Sequence, residues 1–308
     1  MGGPEAEIQP GVDPSRPSER RWRLAAALLV LLQLGLLLDG AWRVGPTFDE
    51  HYYVASGYSY LTEGEFALNR EHPPLLKLLA GAPLLLFGDV DPGSSGANGF
   101  NYPAGFFYQR NAEHLDRNLF AARVPLCLLT AALTWAVFLA AARRFGARSG
   151  FAAAALLALN PNVLAHGRLA ALDAGVAVVM FIATVAFVEL LERPSAWRSL
   201  WAAVAFGLAQ LAKFTSLLLV PLFFGLAALQ ALRTRSPKPG LALARVVLAG
   251  LTVFALGYGF ESKAANEAWN VDAYAVSIAP EVLVAAAPHA EEKGIKILIE
   301  VHAPLHFD

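Results

Sequence analysis

Residues 74–88 read "PLLKLLAGAPLLLFG", and whether this run crosses a membrane decides how the whole chain is laid out. The run is apolar, but it carries Lys77 and is interrupted by Pro83. A simple crossing needs roughly 20 mostly apolar residues, and this stretch is shorter. We read it as a helix lying in a membrane interface rather than as a span. The consequence is parity: with one more crossing here, every later loop would change sides.

Working outward, the composition already names the solvent. Of the 308 residues, 56% are apolar and only 16% are charged. A water-soluble domain carries about a quarter charged residues, so lipid is the expected surrounding. The net charge of −1 supplies no general basic field, and nucleic acid is excluded as a partner. The single cysteine, Cys127, lies inside an apolar run, so no disulfide within the chain is possible. Apolar runs at 24–41, 118–142, 150–166, 173–192, 199–213, 215–232 and 241–260 predict seven spans. The first reads as a retained span rather than a cleaved leader, because further spans follow it and no small-residue cleavage site is clear.

Charge tests the count. Short cytoplasmic loops carry the Lys/Arg excess. With "RPSERRWR" (16–23) inside, alternate crossings place "ARRFGARSG" (142–150), "ERPSAWRS" (192–199) and "RTRSPKPG" (233–240) inside as well. The expected layout is therefore a cytoplasmic N-terminal tail (1–23) and a long outer loop over 43–117. Little but Arg and Lys is expected on the inner side.

The other side collects acids and bases: Asp49 and Glu50 in "GPTFDEHYY" (45–53), His72, Lys77, Arg123, "NVLAHGRLAALD" (162–173) with Asp173, and Lys213. Ionisable groups at membrane depth are costly, so such a gathering is a functional-site candidate. Each has a plainer reading as well. "TFDE" is a capping box in which Glu50 reaches back to Thr47. Asp49 is not needed for that cap, and the helix dipole at its position predicts a well-ionised, weak base. Asp173 equally suits a helix N-terminus. Arg123 and Lys213 equally suit snorkelling toward headgroups, and His72 before two prolines equally marks a loop entering a helix. Tyr52, Tyr53, Tyr58 and Tyr60 read as an interfacial belt. His51, His114 and His166 lack i,i+4 histidine partners, and no metal site is expected.

Taken together, "TFDEHYYVASGYSYLTEGEFALNREHPPLLKLLAG" (47–81) resembles the first outer loop of GT-C-fold glycosyltransferases that use polyprenyl-phosphate sugars. The resemblance is to the protein O-mannosyltransferase and aminoarabinose transferase superfamily. "LLALNPNVLAHGRLAALDAG" (156–175) is similar to its second outer segment, and "GLAQLAKFTSLLLVP" (207–221) to its lysine-bearing span. The resemblance covers about residues 24–260. It implies an all-α polytopic membrane protein with a GT-C-like transmembrane bundle and interfacial helices in the first outer loop. It also implies a sugar moved from a polyprenyl-phosphate donor to a protein, lipid or glycan hydroxyl, with inversion at the anomeric carbon; no cofactor is expected, and a divalent metal requirement stays open. The site would be extracytoplasmic, on the plasma (inner) membrane in a bacterium.

The chemistry fits the residues independently. Such a transfer needs a carboxylate to take the acceptor's proton and cations to meet the departing phosphate. Asp49, with Glu50 and Asp173 beside it, is the catalytic set. His72, Lys77, Arg123 and Lys213 are the substrate-binding set. A non-catalytic remnant or lipid-carrier-binding partner subunit is the alternative, and a transporter ranks behind both. The tail (261–308) departs in character: "PEVLVAAAPHAEEKGIKILIEVHAP" (280–304) reads as a helix, a Gly294 stop and a strand, the pattern of a soluble α/β protein. Truncation, chimerism or a compact appendage is expected there.

Overall fold

The apolar runs form helices, and the breaks between them fall where a local group ends one. A computed structural model describes residues 17–64, 66, 68, 69, 71–93 and 102–258; the expectation for the tail lies outside these. Every regular element among them is helical. They are α1 (Pro17–Arg43), α2 (Phe48–Glu63), α3 (Leu75–Gly81, running on as a 3₁₀ turn, Ala82–Leu86) and the single turn α4 (Tyr102–Gly105). Then follow α5 (Leu115–Phe145), α6 (Ala147–Ala158), α7 (Pro161–Gly167), α8 (Leu172–Glu192), α9 (Ala196–Ala212), α10 (Leu219–Thr234) and α11 (Lys238–Gly257).

Five helical stretches are long and apolar enough to cross a membrane: Glu19–Arg43, Ala112–Phe145, Leu172–Glu192, Phe214–Thr234 and Lys238–Gly257. This is an integral, all-α membrane protein. The two other expected spans are shorter than read from the sequence. The run 150–166 is divided because Asn160 takes an extended conformation and caps α7, its side chain accepting from Asn162 N at 2.9 Å, with Pro161 next. That leaves α6 at 12 residues. The run 199–213 stops at Ala212, where Lys213 turns extended (φ −162°, ψ 145°), leaving α9 at 17 residues. Both still lie along longer neighbours: α6 against α5 and α1, α9 against α8 and α11.

Residues 74–88 do not make a spanning helix, since the apolar helical stretch there is Leu75–Leu86. One face of it is packed while Leu85 and Leu86 at its end stay exposed. Leu76, Lys77, Ala80 and Gly81 are buried, because α3 is wedged between α2 and the bundle. A Cβ on Gly57 of α2 would overlap the Lys77 carbonyl, and one on Gly81 of α3 would overlap the Gly57 backbone. On the far side, Leu76 fills the space over Gly175 of α8, where a Cβ would sit 2.7 Å from it. The most extensive apolar core therefore lies at one end of the bundle. It joins Tyr53, Val54 and Tyr58 of α2 to Leu76 and Leu84, Phe106 and Phe107, Leu119 and Leu126 of α5, and Leu172 and Val176 of α8.

Gly57→Ala should consequently separate two helix backbones. Overpacking a close-packed interior costs about 1–3 kcal/mol, and an obstruction made of backbone belongs at the upper end. The expected result in detergent is a lower unfolding temperature for Gly57→Ala than for Gly225→Ala, which has open space around it. Equal melting would mean that α2 and α3 do not touch.

The two ends of the bundle differ in chemistry. At one, Arg143 of α5 pairs with Glu189 of α8 at 3.1 Å and Arg144 with Glu192 at 3.5 Å. Gln230 of α10 reaches the Leu191 carbonyl at 3.5 Å, and Trp22 of α1 lies 5.2 Å from Phe151 of α6. All four basic clusters thus share this end, as the charge parity requires. It is not purely basic, since Glu189 and Glu192 neutralise two of its arginines. The α2–α3 pair covers the opposite end.

Candidate active site

Thr47 is extended (φ −92°, ψ 162°) and starts α2, and the Glu50 carboxylate turns back to accept from its backbone N–H at 2.9 Å. The capping box is present, but it is a small part of what Glu50 does. Its Oε1 accepts from Arg123 Nε at 2.7 Å and from the Ala170 N–H at 2.8 Å, and its Oε2 from Arg123 Nη2 at 2.6 Å. Both side chains of this pair are 0% exposed. One carboxylate therefore joins α2, α5 and the α7–α8 connection.

Arg123 is equally committed. Its remaining N–H groups go to the carbonyls of Ala41 (2.7 Å), Val44 (2.6 Å) and Gly45 (2.8 Å) at the end of α1. A guanidinium has five N–H groups, and all five are used. In this arrangement Arg123 keeps no donor for a phosphate and Glu50 no free lone pair for a proton in transit. Neither sits as the sequence reading expected of a substrate-binding and a catalytic group; they hold the site's framework.

Lys77 is placed the same way. It is fully buried, and its Nζ donates to the Asn69 carbonyl (2.6 Å), the His72 carbonyl (2.6 Å) and Tyr60 Oη (2.9 Å). An ammonium has three protons, and each has an acceptor here. Burial holds its pKa well below the ordinary value, with Glu71 opposing. Asn69 adopts φ +47°, a left-handed conformation that asparagine tolerates, which turns the loop back over the ammonium. Lys77 is thus sealed from a bound headgroup and pins the turn that carries Glu71 and His72. Tyr60 donates to the Leu68 carbonyl within the same knot. Tyr53, Tyr58 and Tyr60 are 7%, 6% and 5% exposed. They are core residues rather than the interfacial belt expected.

What stays accessible is a smaller group. Asp49, in the first turn of α2, is exposed. Lys213 Nζ meets Asp173 Oδ1 at 2.6 Å, the lysine side chain 18% and the aspartate 63% exposed. His72 lies edge-on to Tyr53 at 5.9 Å. Partial burial, and then the negative charge of Asp173, raise the Asp49 pKa; Lys213 lowers it, and Glu71 and Glu50 raise it. The helix dipole had predicted the opposite, a well-ionised weak base. Partial desolvation and three neighbouring acids act against the dipole. Sequence reasoning missed Glu71 and Tyr53 as neighbours of Asp49; the position of Glu71 directly before "HPP" was the available signal. Among the described residues no group of three or more His, Cys, Asp or Glu side chains is arranged to hold a metal ion.

The family signal lies along the bundle that supports this group. The sequence pattern of the dolichyl-phosphate-mannose-protein mannosyltransferase family matches residues 103–258. The chain belongs to that family. The matched region contains Arg123, Asp173 and Lys213, while Asp49, Glu50, His72 and Lys77 precede it. No curated protein and no solved structure matches the chain. Membership makes the protein a membrane glycosyltransferase of the GT-C type.

Two histidines give the site a pH dependence. His51 is packed among Phe48, Tyr52 and Tyr108, and its burial lowers its pKa to about 4; His72 is lowered to about 4 by burial and then by Lys213. A depressed folded pKa contributes stability that is present above the unfolded value near 6.5 and is lost as pH falls toward 4. Asp49, shifted up, has the opposite sign, losing stability as pH rises. For the buried His51 the loss is on the order of 3 kcal/mol in acid. Unfolding temperatures should therefore drop between pH 6.5 and 4, and His51→Phe, which keeps the ring, should flatten that drop. An unchanged slope in the variant would remove His51 as its source.

Proposed function

We propose that the protein moves a sugar from a polyprenyl-phosphate donor to an acceptor hydroxyl on the extracytoplasmic face, with Asp49 as the base. The acceptor oxygen attacks the anomeric carbon and the bond from that carbon to the phosphate oxygen breaks. The electron pair leaves with the polyprenyl phosphate, and the acceptor's proton ends on Asp49. Lys213, at the end of α9, meets the charge that develops on the phosphate. His72, neutral above about pH 4, lines the donor side and offers a hydrogen bond rather than a charge. Glu50, Arg123 and Lys77 keep these groups in place. The observation that carries this reading is an accessible carboxylate of raised pKa beside the Asp173–Lys213 pair in a member of this family.

Purified protein in proteoliposomes, given a radiolabelled polyprenyl-phosphate sugar and candidate hydroxyl acceptors, should release polyprenyl phosphate with label transferred to one of them. Binding of the carrier without transfer to any class of acceptor would favour a carrier-binding subunit instead. Sidedness is read separately in a Cys127→Ala background. Cysteines at exposed positions 49 and 173 should react with an impermeant thiol reagent in intact cells, and one at 235 only after lysis. Labelling at 235 but not at 49 would place the site in the cytoplasm.

A further inference from the structure

Lys213 is held and Asp173 is not. The Lys213 carbonyl accepts from Ser216 N at 3.0 Å and Ser216 Oγ at 2.7 Å, and the Ser216 carbonyl accepts in turn from Gln210 Nε2 at 3.2 Å. The backbone at the α9 break is therefore fixed, and the lysine stem is mostly enclosed, with 18% of the side chain exposed. Asp173 is the exposed partner at 63%, on the first turn of α8, and it accepts from Lys213 Nζ at 2.6 Å. An incoming phosphate and the Asp173 carboxylate cannot share one ammonium without strong like-charge repulsion. The side chain free to rotate away is Asp173.

We propose that Asp173 is an exchangeable counterion, occupying Lys213 until the phosphate of a polyprenyl-phosphate donor displaces it. This rests on the donor role given to Lys213 under Proposed function. The exchange ties base strength to donor occupancy. While the pair is closed, Lys213 favours the Asp49 anion. Once the lysine is taken by the donor, Asp173 is left as an unpaired negative charge near Asp49, and the carboxylate becomes more basic. The other charged or titratable groups around Asp49 keep their state: Glu50 stays with Arg123, Glu71 is an exposed acid, His72 stays neutral above about pH 4 and Lys77 remains committed to carbonyls. Proton transfer from the acceptor is thereby favoured after the donor has arrived.

The test is equilibrium binding of a short-chain polyprenyl phosphate to the purified full-length protein in detergent, for the unsubstituted chain, Asp173→Asn, Asp173→Ser, Lys213→Gln and the Asp173→Asn/Lys213→Gln double variant. Removing a competitor tightens binding. Partly exposed ion pairs correspond to a change of up to about fivefold, so Asp173→Asn and Asp173→Ser should each bind tighter by up to about that factor while turning over more slowly. Lys213→Gln should bind at least about tenfold more weakly, and adding Asp173→Asn to it should change nothing further. A merely structural Asp173 would weaken binding when replaced. Weaker or unchanged binding in both Asp173 variants, with Lys213→Gln still impaired, overturns the counterion and leaves the donor role of Lys213 standing. Unimpaired binding by Lys213→Gln, or none by the unsubstituted chain, overturns both.

Discussion

Asp49→Asn should lower turnover by about 10²–10⁴-fold, the range for loss of a general base, and should leave the unfolding temperature and donor binding close to those of the unsubstituted protein. Asparagine keeps the size and hydrogen-bonding shape of the side chain but cannot take a proton. The structural cost is small because Asp49 is exposed and is not part of the Thr47–Glu50 cap. The acceptor-dependent pH profile supplies the second reading. Because burial and Asp173 push the Asp49 pKa up, the acidic limb of the unsubstituted protein should lie higher than an exposed aspartate would give, and the residual activity of Asp49→Asn should lack it. Release of polyprenyl phosphate at constant protein concentration measures both. Undiminished turnover would remove Asp49 from the chemistry.

Glu50→Gln, next to it, has a different expected result: loss of the folded protein. Considered only as a capping-box residue, glutamine would replace glutamate with little effect, since either side chain serves in that motif. In the structure the substitution leaves the Arg123 guanidinium buried without its counter-charge, and breaking a buried ion pair from one side costs about 3–5 kcal/mol. That is a large fraction of a typical domain's stability. Expression, thermal unfolding and carrier binding should fall together for Glu50→Gln, and Arg123→Met should do the same by leaving Glu50 without its counter-charge and three carbonyls without their donor. The double variant Glu50→Leu/Arg123→Met should melt above the less stable single variant, since no lone charge remains in it. Full stability with low turnover in Glu50→Gln would instead make the two acids one catalytic unit.

The pairing of these neighbouring acids with opposite outcomes could not be read from "TFDE". Adjacent residues on a helix point about 100° apart, so one faces the α5 core and the other the open site. Which faces which depends on where α2 sits. That position is set by the glycine contact with α3 and by Arg123, 73 positions away in the chain.

The sequence by itself determined the solvent, the helical class and the common end of the charged groups. Hydrophobic run length and the loop charges are local quantities, and local quantities survive without a fold. It also placed Asp49, Glu50, His72, Lys77, Arg123, Asp173 and Lys213 in one candidate group, because ionisable residues among apolar ones are conspicuous whatever their partners. Only the tertiary structure divided that group into its accessible and sealed members. Arg123, Lys77 and Lys213 look alike as cations beside apolar runs. They differ in whether backbone carbonyls converge on them: Ala41, Val44 and Gly45 on the first, Asn69 and His72 on the second, and none on the ammonium of the third, which holds Asp173 instead. Hydrogen-bond saturation is a property of three-dimensional neighbours, and it decides which charges remain available to a substrate.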